Sequence, residues 1–140
     1  MAAVLEAAAG LQVGETVVHF FRITDAEMQA FGQLSGDWNP VHADASFAAV
    51  KGYRAPIVYG GLLIAKISGL LGMSLPGRNG VWCSVRLEFS GPLYVGEEAR
   101  LRGTAVQFSS STGLGVIQLD IGSGERIVAR GKAEVRVAAA

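Results

Sequence analysis

Gly60-Gly-Leu-Leu-Ile-Ala-Lys-Ile-Ser-Gly-Leu-Leu-Gly-Met73 is apolar on nearly every side. Read as a helix, Leu62, Leu63, Ile64, Ala65, Ile67, Leu70 and Leu71 leave no wide polar face, and a helix of that kind is a buried one. Gly69 and Gly72 weaken it by about 1 kcal/mol each against alanine, which is tolerable where a neighbour must approach the backbone closely. Lys66 interrupts the run, and the run is short for a bilayer crossing. The fold therefore turns on what the rest of the chain can supply to cover this helix.

The answer lies downstream. Pro76 to Gly80 is a turn cluster, and the chain beyond it is strand-like. Val81, Cys83, Val85, Leu87 and Phe89 alternate with Trp82, Ser84, Arg86 and Glu88, a period of two that puts Cys83 on the apolar, core-facing side. Further strands are expected over 98–108, 113–121 and 126–137, with turns at 109–112 and 122–125 suited to antiparallel connections. Thr16 to Phe21 is also β-prone, with His19 inside it as a surface or satisfied histidine. One buried helix and a set of antiparallel strands make an α+β fold in which the sheet curls around the helix. No repeat or linker is visible, and 140 residues suit a single domain spanning 1–140.

Upstream of the buried helix the signals are local. Thr24 and Glu27 are spaced as a capping box, with Ile23 and Met28 as a hydrophobic staple. Ala30, Phe31 and Leu34 continue an apolar face until Gly36 ends the helix. Ser46 is expected to cap a short helix over 47–51. Residues 1–10 read as a frayed tail or a short helical turn.

Between these helices lies Ser35-Gly-Asp-Trp-Asn-Pro-Val-His-Ala-Asp44, a loop rich in turn formers. It holds an acid/base pair, Asp37 and His42. Only His19 offers another imidazole, so chemistry near neutral pH has few places to live. A turn of this kind can fold a five-residue spacing back so that both side chains face one cavity, where both can exchange protons with water. The plainer reading makes Asp37 an Asx-turn residue and His42 a surface imidazole. Asn39 and Asp44 suit bracing and capping. Gly60 and Gly61 open the apolar helix, where free N–H groups meet the positive end of the dipole and glycine admits a ligand. A ligand carbonyl there would be polarised as in an oxyanion hole; the plainer reading is a helix start needing a flexible residue. Ser68, within the same helix, reads as a buried hydroxyl bonded one turn back.

These residues carry a family resemblance. Phe31-Gly-Gln-Leu-Ser-Gly-Asp37-Trp-Asn-Pro-Val-His42-Ala-Asp44 resembles the hydratase motif of the MaoC-like, (R)-specific enoyl-CoA hydratases. That motif is an aromatic residue, then Gly-Asp-x-Asn-Pro, an aliphatic residue, His, and an acidic residue two further on. Ala55-Pro-Ile-Val-Tyr-Gly-Gly-Leu-Leu63, with Ile67-Ser-Gly-Leu-Leu-Gly72 after it, resembles the family's second block. The resemblance implies the hot-dog fold, usually paired as a homodimer. It implies addition of water to a trans-2-enoyl thioester, giving the (R)-3-hydroxyacyl thioester, or the reverse. Asp37 and His42 would hold and activate the water, the Gly60 N–H would be the oxyanion donor, and Ser68 would lie beside the pair. Asn39, Tyr59 and Gly61 fall on the substrate side. Tyr59 is a departure, because many relatives have histidine there, and a phenol does not titrate near neutrality.

Composition narrows the partners. Lys plus Arg equals Asp plus Glu at 12 each, which argues against bulk binding to nucleic acid or an anionic membrane. The single Cys83 cannot form an internal disulfide and fits a reducing cytoplasm, and residues 1–10 carry no Lys or Arg of a secretory leader. Half of the residues are hydrophobic, more than so small a core needs, which fits a subunit interface. No metal-ligand cluster, phosphate loop or dinucleotide fingerprint is present, so neither a metal nor a cofactor is expected. The resemblance implies an acyl-CoA or an acyl-carrier-protein thioester as the substrate. The rivals are a carrier-protein dehydratase, a non-catalytic acyl-thioester-binding module, and a thioesterase. The last would need a carboxylate on the apolar helix, which has none.

Overall fold

The computed structural model describes residues 10–137; the expected tail or helical turn falls, Gly10 aside, outside them. In chain order the elements are β1 (Thr16–Phe21), α1 (Asp25–Ser35), a 3-10 turn (Pro40–His42), α2 (Ala45–Val50), α3 (Gly60–Met73), β2 (Gly80–Phe89), β3 (Ala99–Phe108), β4 (Leu114–Ser123) and β5 (Arg126–Val137). The strands form one sheet in the order β1-β3-β4-β5-β2, and every neighbouring pair is antiparallel.

The sheet packs on α3 as the hot-dog arrangement requires. Leu62, Leu63, Ile67, Leu70 and Leu71 of α3 are buried, in one cluster with Leu101 and Ala105 of β3, Ile117 and Leu119 of β4, and Val128 and Val135 of β5. Burying a leucine fully contributes about 1.5–3 kcal/mol, so this cluster sets where α3 lies. Gly103 lets the two layers close: a Cβ there would stand 2.8 Å from Cδ2 of Leu70.

α3 is not covered all round, contrary to the expectation from its composition. Ala65, Ser68, Gly69, Gly72 and Met73 are exposed. The sheet wraps one side of the helix and leaves a stripe of small residues uncovered, so the Ser68 hydroxyl is exposed rather than buried.

Cys83 also departs from expectation. It is exposed, because the register between β2 and β5 slips between Trp82 and Ser84. The extra residue of a bulge is left out of the pairing and shifts the alternation by one. Trp82 and Leu87 pack against the core, while Val81 and Phe89 remain 67% and 53% exposed on this edge strand.

The helix ends near the site arise from local chemistry. Thr24 and Glu27 close the capping box in both directions, the staple pair Ile23 and Met28 is buried, and Gly36 stops α1 with φ 76°. The Glu27 carboxylate also accepts from Nζ of Lys66 at 3.0 Å, which ties α1 to α3. α2 is capped by Asp44, not Ser46: its Oδ1 accepts from the Ser46 and Phe47 N–H groups. Asp44 stands in the extended conformation an N-cap needs.

Candidate active site

The loop from Ser35 to Asp44 holds its shape by side-chain-to-backbone bonds. Ser35 Oγ accepts from Asp37 N, Asp37 Oδ1 from Asn39 N, and Asn39 Oδ1 from Val41 N, all at 3.0–3.1 Å. Asn39 caps the 3-10 turn, so its carbonyl oxygen is committed to bracing the loop rather than to a ligand. The same ladder leaves one acceptor uncommitted, Oδ2 of Asp37.

That oxygen faces His42. Asp37 Oδ2 and His42 Nε2 are 3.9 Å apart. Nδ1 of His42 lies 2.8 Å from the Ile57 carbonyl oxygen. A carbonyl only accepts, so Nδ1 donates, and in the neutral ring Nε2 carries the lone pair. The gap is too long for a good direct hydrogen bond but fits an oxygen about 2.8 Å from both atoms. The His42 side chain is 13% exposed and that of Asp37 46%, so one member is fixed in the wall and the other reaches solvent.

Tyr59 stands behind the pair, only 3% exposed. Its hydroxyl donates to the Asp37 carbonyl oxygen at 2.6 Å. Its ring stacks on the His42 imidazole, centroids 4.0 Å apart at 29°, and meets Phe31 at 4.8 Å on another side. Burial, with the Asp37 charge adding to it, raises the Tyr59 pKa, so the phenol stays protonated and donating. Tyr59, expected on the substrate side, does not line the cavity that His42 shares with Gly60, and neither does Asp37.

α3 begins one residue later without a side-chain cap, whereas Thr24, Asn39 and Asp44 cap the three helical segments before it. Among the described residues, the Gly60 and Gly61 N–H groups have no hydrogen-bond partner. They sit at the positive end of α3 and can meet a developing negative charge. The two glycines also make room for aromatic rings. A Cβ on Gly60 would fall 2.9 Å from Cζ of Phe89, and one on Gly61 would collide with the Phe31 ring. The space expected to admit a ligand at Gly61 is filled by Phe31.

His42 and Gly60 border one cavity of about 480 Å³, whose walls include Ile57, Leu63, Phe89 and Leu93. Its size and apolar walls suit an acyl thioester. A larger hollow of about 680 Å³ lies among Arg86, Asp120, Arg130 and Lys132, and neither Asp37 nor His42 lines it. Ser68 borders neither cavity at His42.

On its other side His42 borders a smaller cavity with Arg54, Tyr94 and Glu97. Arg54 lies over the Tyr94 ring at 4.0 Å and 3.2 Å from Glu97. Arg126 donates to both Glu97 oxygens, at 2.6 and 2.8 Å. Burial alone would raise the Glu97 pKa, but the Arg126 bonds and the Tyr94 N–H hold it lowered. Sequence reading missed this bracing cluster and the Ile57 carbonyl that sets the His42 tautomer. A backbone acceptor has no sequence signature, and Arg126 meets Glu97 only through the fold.

Residues 8–120 match the family model described as MaoC like domain. The chain belongs to the MaoC-like domain family. Among family relatives, the (R)-specific enoyl-CoA hydratase of Aeromonas caviae is 43% identical over 91 residues, covering 65% of this chain and 68% of the relative. The 3-hydroxybutyryl-CoA dehydratase of Methylorubrum extorquens is 28% identical over 127 residues, covering 91% and 81%. The solved structure of an (R)-hydratase from A. caviae involved in PHA biosynthesis superposes with a TM-score of 0.86 at 33% identity, covering 91% of this chain and 98% of that one. The hot-dog arrangement is thus shared with a family member along almost its full length.

Proposed function

We propose that this chain is a hydro-lyase, acting as one domain, that adds water across the C2–C3 double bond of a trans-2-enoyl thioester to give the (R)-3-hydroxyacyl thioester, and runs the reverse. The observation that carries this reading is the 3.9 Å gap between Asp37 Oδ2 and His42 Nε2, one member of which, His42, lines the cavity that reaches Gly60, while Asp37 does not. A water in the gap gives up one proton to the pair as its oxygen bonds to C3. The π electrons move toward the thioester carbonyl, whose oxygen is stabilised by the Gly60 N–H. Collapse of that enolate takes a proton from the pair at C2, so one water is added with no net change in the protein. The relatives' names, an (R)-specific enoyl-CoA hydratase and a 3-hydroxybutyryl-CoA dehydratase, support the reaction class and the coenzyme A carrier.

Ser68 keeps its proposed place beside the pair only if a second copy covers the open face of α3. The free outer edge of β2 and the exposed Val81 and Phe89 support such a homodimer. No helix among the described residues is long and apolar enough to cross a membrane, and the exposed thiol of Cys83 suits the reducing cytoplasm we assign to it. The direct test is loss of enoyl absorbance on mixing the pure chain with crotonyl-CoA and longer enoyl-CoAs. Turnover that yields the (R) product supports the reading. No turnover with any of them sinks the coenzyme A hydratase, and the same assay on enoyl carrier-protein thioesters decides the dehydratase alternative.

A further inference from the structure

We infer that Tyr59 is the positioning residue of this site, holding both members of the acid/base pair and the start of α3 in one geometry. The inference rests on the hydratase reading. Tyr59 touches three things at once. Its hydroxyl anchors the backbone of Asp37 at 2.6 Å, its ring lies against His42 at 4.0 Å, and its own backbone is the N-cap from which Gly60 departs.

Each contact fixes a different degree of freedom. The Asp37 carbonyl bond fixes the height of the loop, and with it the carboxylate carried on the same residue. The stack allows the imidazole to lie in one plane only, while the Nδ1 bond to Ile57 fixes its rotation within that plane. Together they set the 3.9 Å gap. The tyrosine is held in turn by Phe31 at 4.8 Å, whose ring occupies the space left by Gly61. A burial of 97%, read from its 3% exposure, keeps water from competing for the hydroxyl. Because its hydroxyl is committed to the Asp37 backbone and its ring to His42, Tyr59 acts through the pair and not on the substrate. A misplacement of about 1 Å in such a pair can cost about 100-fold in rate, so the clamp has enough leverage to matter.

The test uses Tyr59→Phe, which removes the hydroxyl and keeps the ring, and Tyr59→Leu, which removes both. With crotonyl-CoA, Tyr59→Phe is expected to lower kcat about 10-fold and Tyr59→Leu about 100-fold, each with KM within about twofold of the native value. A native kcat in Tyr59→Phe, or a rise in KM at unchanged kcat, would overturn the inference, the second outcome making Tyr59 a substrate contact. Imidazole NMR reads the clamp without any turnover. The chain has two histidines, and a His42→Gln variant assigns their signals. The ring-current displacement of the His42 protons should persist in Tyr59→Phe and vanish in Tyr59→Leu. If the native chain shows no such displacement the clamp is wrong even if the enzyme works; if it does, and crotonyl-CoA is not hydrated, the hydratase reading alone has failed.

Discussion

Oδ2 of Asp37 and Nε2 of His42 face each other across 3.9 Å, too far to bond well and near enough to share one water. On the proposed reaction the two groups share the proton transfers. Asp37→Asn and His42→Ala are each expected to lower kcat about 1,000-fold, within the range for general acid–base groups. The double variant should be little worse than the more damaged single one, since the pair acts as a unit. Enoyl absorbance measures the rates, and circular dichroism checks that the fold is kept. Two independent, multiplying losses would mean that the residues do not share a water.

Aromatic rings occupy the space beside Gly60 and Gly61, and the two sites should respond differently to a methyl group. Phe89 is half exposed and can swing aside, so Gly60→Ala should fold and Phe89→Ala should restore part of its lost activity. Phe31 is pressed between Gly61 and Tyr59 and has less freedom. Gly61→Ala should destabilise by about 1–3 kcal/mol, as overpacking does, and lower kcat through Tyr59. Urea titration and steady-state kinetics separate the two effects.

Acid should loosen the frame. The Thr24 N–H and the Lys66 ammonium lower the pKa of Glu27 from its ordinary 4.5. Glu97 is lowered from the same value, burial opposing and the Arg126 and Tyr94 bonds prevailing. A carboxylate with a depressed folded pKa stabilises fully above its unfolded value and loses that stabilisation as pH falls through the folded one. The urea midpoint should therefore hold down to about pH 5 and fall below about pH 4.5. Glu97→Gln should lower the midpoint at pH 7 and flatten the acid limb; an unchanged limb would assign acid sensitivity elsewhere.

What the sequence disclosed was what neighbours in the chain decide. Thr24 and Glu27 lie three residues apart, and their capping box formed as spaced. The Asp37–His42 loop was readable because its turn formers are contiguous. The period-two pattern of β2 could not disclose a bulge, so Cys83 landed outside. The exposure of Ser68 did have a signal. Ala65, Ser68, Gly69 and Gly72 recur at helical spacing, a stripe of small residues masked by the overall apolar count. The Tyr59 bond to Asp37 spans 22 residues, and only the way α3 docks brings the two together.

The free edge of β2 predicts assembly. The chain should sediment as a dimer at micromolar concentration. Val81→Lys with Val85→Lys, which charges two exposed positions on that edge, should shift it toward monomer. A native chain that sediments as a monomer and still hydrates crotonyl-CoA would remove the second copy from the site.

The uncapped start of α3 bears on how far this fold can be hardened. A serine or aspartate at position 59 would supply the missing cap, typically worth about 1 kcal/mol. The same change would delete the ring against His42 and the hydroxyl on Asp37. Removing a buried aromatic ring typically costs about 3–5 kcal/mol, more than the cap returns, so stability and rate hold tyrosine at this one position together, and a library screened for heat resistance should keep it and gain elsewhere.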